Sequence, residues 1–267
     1  MHTVKLYGRF LIVYMRSQLE YRFSFFGDVF VNMLTFVSLY LGFWVLFQTF
    51  PSMDGWGFWE VLFLNNLNLM TYATCSMFLW GPMIQLENTV RTGEFDNFLV
   101  RPYPPLLILV FRQFGHTFIG HLIVSSCVLA LCTYQLSIQW TVGNALFLLF
   151  CLIGGILIQG AIMIAAASSA FWVIRSKAVL EMSIYTVRSF INYPISIYVQ
   201  SIQLLLTFLI PYAIVNYYPA SLFFGKEERS ALFYFFPVIS VAVGALLFLL
   251  ACKIFSRGVA RYDSSGS

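Results

Sequence analysis

Charged residues are scarce in this chain of 267 residues: only 10% are Asp, Glu, Lys or Arg, whereas 60% are apolar. Soluble domains carry roughly 25% charged residues, so the composition excludes an ordinary soluble enzyme. The mean hydropathy is +0.82, and no long polar stretch separates the apolar runs. Because these runs are continuous rather than alternating, they favour membrane helices over a membrane β-barrel.

Sequence motifs for catalysis are also lacking. There is no Gly-rich loop followed by Lys and Ser or Thr, no GxSxG and no HExxH. His116 and His121 are five residues apart, so they point to different helix faces and do not form a zinc pair. The five cysteines lie in apolar runs without a CxxC spacing, and we interpret them as buried apolar residues. We therefore expect a non-catalytic chain with no metal and no cofactor of its own.

Six apolar runs are long enough to cross a bilayer, which needs about 20 residues. They predict an all-α membrane protein with six transmembrane helices in a single domain over residues 1–267, with no room for a separate soluble domain. The predicted spans are residues 29–50, 58–80, 106–134, 142–173, 195–215 and 233–255.

Lysine and arginine are distributed unevenly between the two sides of the predicted membrane. When the connections are assigned alternately, thirteen of the 15 cations share a side with both termini, and only Lys226 and Arg229 lie opposite. The positive-inside rule then predicts a multi-pass protein of the cell (inner or plasma) membrane with both termini in the cytoplasm. This assignment puts Arg188 in a cytoplasmic connection.

Residues 1–27 predict an interfacial helix before the first span. At 100° per residue, Lys5, Arg9 and Arg16 fall on one side of this helix, and aromatic and aliphatic residues fall on the other. The alternative is a plain cytoplasmic leader into the first span.

Polar residues inside the predicted spans are neutral. The sequence places no Asp, Glu, Lys or Arg at a span centre, which argues against ion-coupled transport by this chain alone. Two interpretations of the neutral polar residues stay open: they line a substrate path, or they bond neighbouring helices. These residues are Asn65, Asn66, Asn68, Gln159 and Gln203. The small residues around Gly154 in the fourth span predict close packing within the chain rather than a partner interface.

The polar connection between the second and third spans has structure of its own. Glu87 and Arg91 are four residues apart, which supports a short helix. Gly93 is suited to end it in a left-handed cap, Asp96 to cap a second short turn, and Pro102 to stiffen the return into the membrane. Such an element is either a membrane-surface helix without a binding role or a docking element for a cytoplasmic partner.

Residues 93–102 carry the pattern Gly-x-x-Asp-x-x-Leu-x-Arg-Pro. In this pattern the chain resembles the permeases of type-2 ABC exporters, in particular the small six-span branch of ABC-2 family transporter proteins. The short tail over residues 261–267 is similar too. The motif covers only this loop and the tail, whereas the predicted topology covers the whole chain.

The resemblance implies a coupling helix within residues 84–102, seated in a groove of a separate cytoplasmic ABC ATPase that binds ATP and Mg. It also implies a second permease, as homodimer or heterodimer, surrounding membrane lipid, no nucleic acid partner, and short re-entrant helices over residues 216–233. The residues it assigns to coupling are Glu87, Arg91, Gly93, Glu94, Asp96, Leu99, Arg101 and Pro102.

Other functions remain open on the sequence. An ion-coupled secondary transporter or channel would work without an ATPase, and a membrane scaffold would recruit a cytoplasmic protein without transport. A membrane enzyme has no visible catalytic set. Aromatic residues such as Phe63 and Tyr72 permit an amphipathic or lipid-like cargo, although any membrane helix carries such residues.

Overall fold

The computed structural model describes residues 22–173, 176–226 and 231–263, and every regular element among them is helical. The predicted interfacial helix over residues 1–27 lies almost entirely outside the described residues, and the first described helix starts at Arg22. The α-helices are α1 (Arg22–Thr49), α2 (Phe58–Arg91), α3 (Asp96–Leu99), α4 (Pro105–Arg112), α5 (Phe118–Gln135), α6 (Val142–Ser168), α7 (Ser176–Glu181), α8 (Gln200–Leu204), α9 (Tyr217–Phe224) and α10 (Ala231–Arg261).

Helix α2 is the central element. Its 34 residues extend about 51 Å at 1.5 Å per residue, and it packs against α5 and α6. The sequence suggests that a span ends at Gly81-Pro82, but the helix continues through Pro82 to Arg91. Pro82 lacks the amide N–H that would bond the Phe78 carbonyl four residues earlier. One residue before that carbonyl, the Gly115 amide donates to the Met77 carbonyl at 2.7 Å.

Helices α6 and α10 form the closest helix pair. An added Cβ on Gly244 would lie 2.7 Å from the Gly154 carbonyl oxygen, and one on Gly154 would lie 2.7 Å from the Ser240 carbonyl carbon. Glycine at both positions lets the two backbones touch, as small residues do between membrane helices. The small residues of the fourth predicted span thus serve packing within the chain.

Four described helices are long and apolar enough to cross a membrane: Phe26–Thr49, Phe118–Gln135, Val142–Phe171 and Tyr234–Arg261. Helix α2 has the length but is not among them, because Asn65, Asn66, Asn68 and Glu60 lower its hydropathy. A fifth span arises if Gln200–Leu209 and Tyr212–Phe224 count together, and these two segments are bent by 80°.

The region predicted as the fifth span, residues 195–215, is not one continuous helix. It consists of a 3-10 turn, α8 with a π-helical extension to Leu209, and a second 3-10 turn. Pro194 and Pro211 stand just before the two 3-10 turns, where a helix could not continue. The third predicted span differs as well, since extended backbone at Gln113 separates α4 from α5 and the long helix begins only at Phe118.

Polar contacts mark two opposite ends of the helical bundle. At one end, the Lys226 ammonium pairs with Glu60 at 2.8 Å and donates to the Gly55 carbonyl at 2.7 Å. At the other, a Glu87 carboxylate oxygen accepts hydrogen bonds from the Lys177 amide and the Ser176 hydroxyl. Because Glu60 and Glu87 both lie on α2, this helix connects the two ends.

Candidate docking surface and buried polar network

The segment after α2 turns back sharply at Gly93. Its φ of +75° is in the left-handed region that glycine adopts without strain, and α2 ends two residues earlier at Arg91. The Phe95 amide then donates to the Thr89 carbonyl at 3.1 Å, which folds the turn against the end of α2. Helix α3 begins at Asp96, whose place in the first turn suits the helix dipole, although no side chain caps this end.

Two buried phenylalanines hold α3 in place. Phe95 contacts Phe98, Phe171 after α6 and Tyr262 after α10, with both of the latter ring centroids 5.2 Å away. Phe98 is buried as well. Because these rings fix one side of α3 to the ends of α6 and α10, the opposite side is left exposed.

This segment carries a group of exposed residues. It ends in residues with little contact to the rest of the chain, of which Val100 is 83% exposed. We call it the α3 surface, and its members are Arg91, Asn97, Leu99, Val100, Arg101 and Pro102. A cavity of about 680 Å³ opens beside it between α3 and α4, lined in part by Phe98, Arg101 and Phe111.

The two glutamates of the predicted coupling set have partners within the chain. The Glu94 carboxylate lies 2.8 Å from the Arg112 guanidinium. Glu87 accepts from the Ser176 hydroxyl and the Lys177 amide, so it joins α2 to the start of α7. Of the other charged residues in that set, Arg91 and Arg101 are exposed and Asp96 is half-buried.

Comparison with protein-family models identifies the family of this chain. Residues 31–266 match the model described as ABC-2 family transporter protein. The chain belongs to this family. No curated protein and no solved structure matches it. The family indicates a membrane permease component of an ABC transporter, and such components are generally non-catalytic.

In this ABC-2 family protein, four of the five neutral polar residues inside the predicted spans are buried and hydrogen bonded. The Asn65 and Asn68 amides both donate to the Asn192 side chain, at 3.0 and 3.1 Å. Gln159 of α6 donates to the Thr71 hydroxyl of α2 at 2.7 Å. The network therefore connects α2, α6 and the segment that ends at Asn192.

The other two residues lie apart from this cluster. The Asn66 amide donates to the Ser125 carbonyl of α5 at 2.7 Å, and its oxygen accepts from the Tyr40 hydroxyl of α1. Gln203 of α8 bonds only locally in the described part of the chain, to the Tyr198 carbonyl at 2.8 Å. The structure thus does not bring all five residues to one path within a single ABC-2 chain.

Arg188 lies elsewhere than the sequence predicts. Its guanidinium carbon lies 3.8 Å from the centroid of the Tyr72 ring, and it donates to the Asn68 side chain at 3.2 Å. The sequence predicts Arg188 in a cytoplasmic connection, whereas the structure places its guanidinium beside the middle of α2.

The depth of Arg188 can be measured along α2. Tyr72 is twelve residues from Glu60 and fifteen from Glu87, or about 18 and 22 Å at 1.5 Å per residue. The guanidinium therefore lies about midway between the two polar ends of the bundle.

The spacing of apolar residues in the sequence could have indicated that Arg188 lies within a helical segment. Leu180, Ile184 and Ile191 are all buried and stand four and seven residues apart, which is helical spacing. The pattern indicates that a helical segment begins near Lys177, so that Arg188 falls about three turns inside it.

Proposed function

We propose that this chain is the membrane-spanning permease of an ATP-driven exporter, and that the α3 surface docks a separate cytoplasmic ATPase. In this proposal α2 is a span, the segment from α7 to Asn192 begins another, and the bent pair after Gln200 re-enters the membrane from the outer side. Two permease copies, identical or different, form the substrate path. The ATPase binds ATP and Mg.

The observation that carries the proposal is the exposed α3 surface on a buried aromatic anchor. Phe95 contacts both Phe171 and Tyr262, so a movement of α3 would be transmitted through these rings to the ends of α6 and α10. The family match over residues 31–266 supports the partnership with an ABC ATPase. The exposed guanidinium groups of Arg91 and Arg101 suit charge-assisted bonds to carboxylates of such a partner.

The buried amides have a different proposed role. Since Asn65, Asn66, Asn68 and Gln159 are engaged between helices, we assign them to packing rather than to the substrate path. Gln203 remains a proposed path residue, because it lies in the bent segment and is only half-buried.

The double substitution Arg91→Glu with Arg101→Glu tests the docking proposal. The expected result is normal membrane insertion but at least a tenfold loss of the ATPase that copurifies with the unchanged chain, because two bonds of about 1.5 kcal/mol or more are replaced by repulsion. Quantitative mass spectrometry of the purified complex measures it. Lys253→Glu with Arg257→Glu, two exposed cations of α10, is the matched control. Equal loss in both doubles, or none in either, contradicts the proposal.

A further inference from the structure

The Arg188 guanidinium is a cation without a carboxylate partner among the described residues. None of the ion pairs in the described part of the chain includes it. Glu181, seven residues earlier, lies against Lys177 at 3.7 Å instead. Among the described residues, this positive charge is therefore balanced by neutral groups, namely the Tyr72 ring and the Asn68 and Ile184 oxygens.

Arg188 also has hydrogen-bonding capacity to spare. A guanidinium carries five N–H groups. Hydrogen bonds to described residues account for two of them, one to the Asn68 side chain and a long one of 3.4 Å to the Ile184 carbonyl. Planar arginine binds phosphate and carboxylate oxygens in pairs, so the remaining N–H groups suit an anionic group.

The Arg188 guanidinium is buried, but part of the residue and the side chains beside it are exposed at the side of the molecule. Tyr185, in the preceding turn, is 58% exposed. The Tyr185 ring contacts Trp80 of α2, with centroids 5.7 Å apart. Met182, which precedes them in the same segment, is exposed and apolar. The cation therefore lies behind an apolar and aromatic rim that suits a hydrocarbon chain.

We propose that Arg188, with Tyr72, Tyr185 and Trp80, binds the anionic head of an amphiphile in transit through the membrane, such as an alkyl phosphate or carboxylate. The depth argues for a transported molecule, because the head of a resident bilayer lipid lies at the membrane surface rather than beside the middle of α2. This assignment of substrate class rests on the proposed transport function, but binding at Arg188 does not require the ATPase.

Photolabelling of the full chain in phosphatidylcholine nanodiscs tests the site. The probes are dodecyl phosphate and dodecyl phosphocholine, each with a diazirine in the alkyl chain; both heads contain a phosphate, and the choline of the second cancels its net charge. In the unchanged chain, the phosphate probe should label the peptides that contain Tyr72, Trp80 and Tyr185 about tenfold more strongly, as expected for a charge-assisted bond. Equal labelling by the two probes overturns the proposal.

Variants of the chain distinguish binding at Arg188 from a nonspecific attraction of the phosphate probe to any cation. Arg188→Gln should abolish the preference for the phosphate probe, and Arg188→Lys should keep part of it because the charge remains. Arg257→Gln removes an exposed cation on α10 and should change nothing. If Arg188→Gln does not fold, the proposed site is still tested by comparing the two probes in the unchanged chain and in Arg188→Lys. A preference that survives in folded Arg188→Gln contradicts the site.

ATP hydrolysis by the complex with its ATPase distinguishes cargo from bound lipid. Dodecyl phosphate should stimulate hydrolysis in the unchanged complex, less in Arg188→Lys and not at all in Arg188→Gln. Binding at Arg188 without stimulation contradicts the assignment as cargo, while the docking proposal is judged separately by copurification of the ATPase.

Discussion

At the scale of single residues, Phe95 determines which side of α3 faces outward. It is fully buried among Phe98, Phe171 and Tyr262, so it orients the exposed residues that follow it. The same surface would not exist if the short helix, which has only four residues, were held by its own hydrogen bonds alone.

Phe95→Ala should therefore lower both stability and coupling. Removal of a buried phenylalanine ring destabilises by about 3 kcal/mol, and the loosened α3 should also lose ATPase. Thermal unfolding in detergent and the yield of copurified ATPase measure the two effects. The control is Phe208→Ala, at a ring that is 79% exposed, which should leave both readouts unchanged. Unaltered stability of Phe95→Ala is incompatible with an anchoring role.

The roles of residues in and around the α3 surface were only partly predictable from the sequence. The spacing of Gly93 after Arg91 predicts the left-handed turn correctly, because only the local backbone decides it. The engagement of Glu87 with Lys177 and of Glu94 with Arg112 depends on segments 90 and 18 residues away. No local pattern contains that information, so the sequence could not tell exposed charges from paired ones.

At the scale of helices, the α6–α10 pair depends on the absence of side chains at the contact. Gly154→Ala would put a Cβ 2.7 Å from the Ser240 carbonyl carbon, so the helices must separate. We expect a destabilisation of about 2 kcal/mol, measured by thermal unfolding. Gly42→Ala in α1 is the matched control, since nothing lies within 4 Å of its added Cβ. A Gly154→Ala protein as stable as the control would refute the close contact.

Long apolar helices were the most predictable elements, since hydropathy alone defines them. The four described helices that meet the length and hydropathy test overlap four of the predicted spans. Residues 195–215 are equally apolar, but Pro194 and Pro211 divide them into short pieces with an 80° bend between two segments. Hydropathy reports burial in lipid and not direction, so it cannot distinguish a straight span from a bent one.

At the scale of the whole molecule, the structure has one polar end around Glu60 and Lys226 and another around Glu87, the α3 surface and the end of α10. The sequence predicts the second as cytoplasmic from the excess of lysine and arginine. Without Arg188, whose guanidinium packs against Tyr72, the predicted topology still assigns twelve of the 15 cations to that side. The predicted orientation therefore rests on these twelve charges.

Site-specific crosslinking tests docking and orientation together. A photoreactive amino acid replaces Val100, which is 83% exposed on the α3 surface, or Tyr134, which is 80% exposed at the outer end of the third predicted span. After irradiation of native membranes, position 100 should yield a covalent product with the ATPase, and position 134 should not. A product from position 134 alone, or from neither position while the ATPase still copurifies, would contradict the docking of an ATPase at the α3 surface.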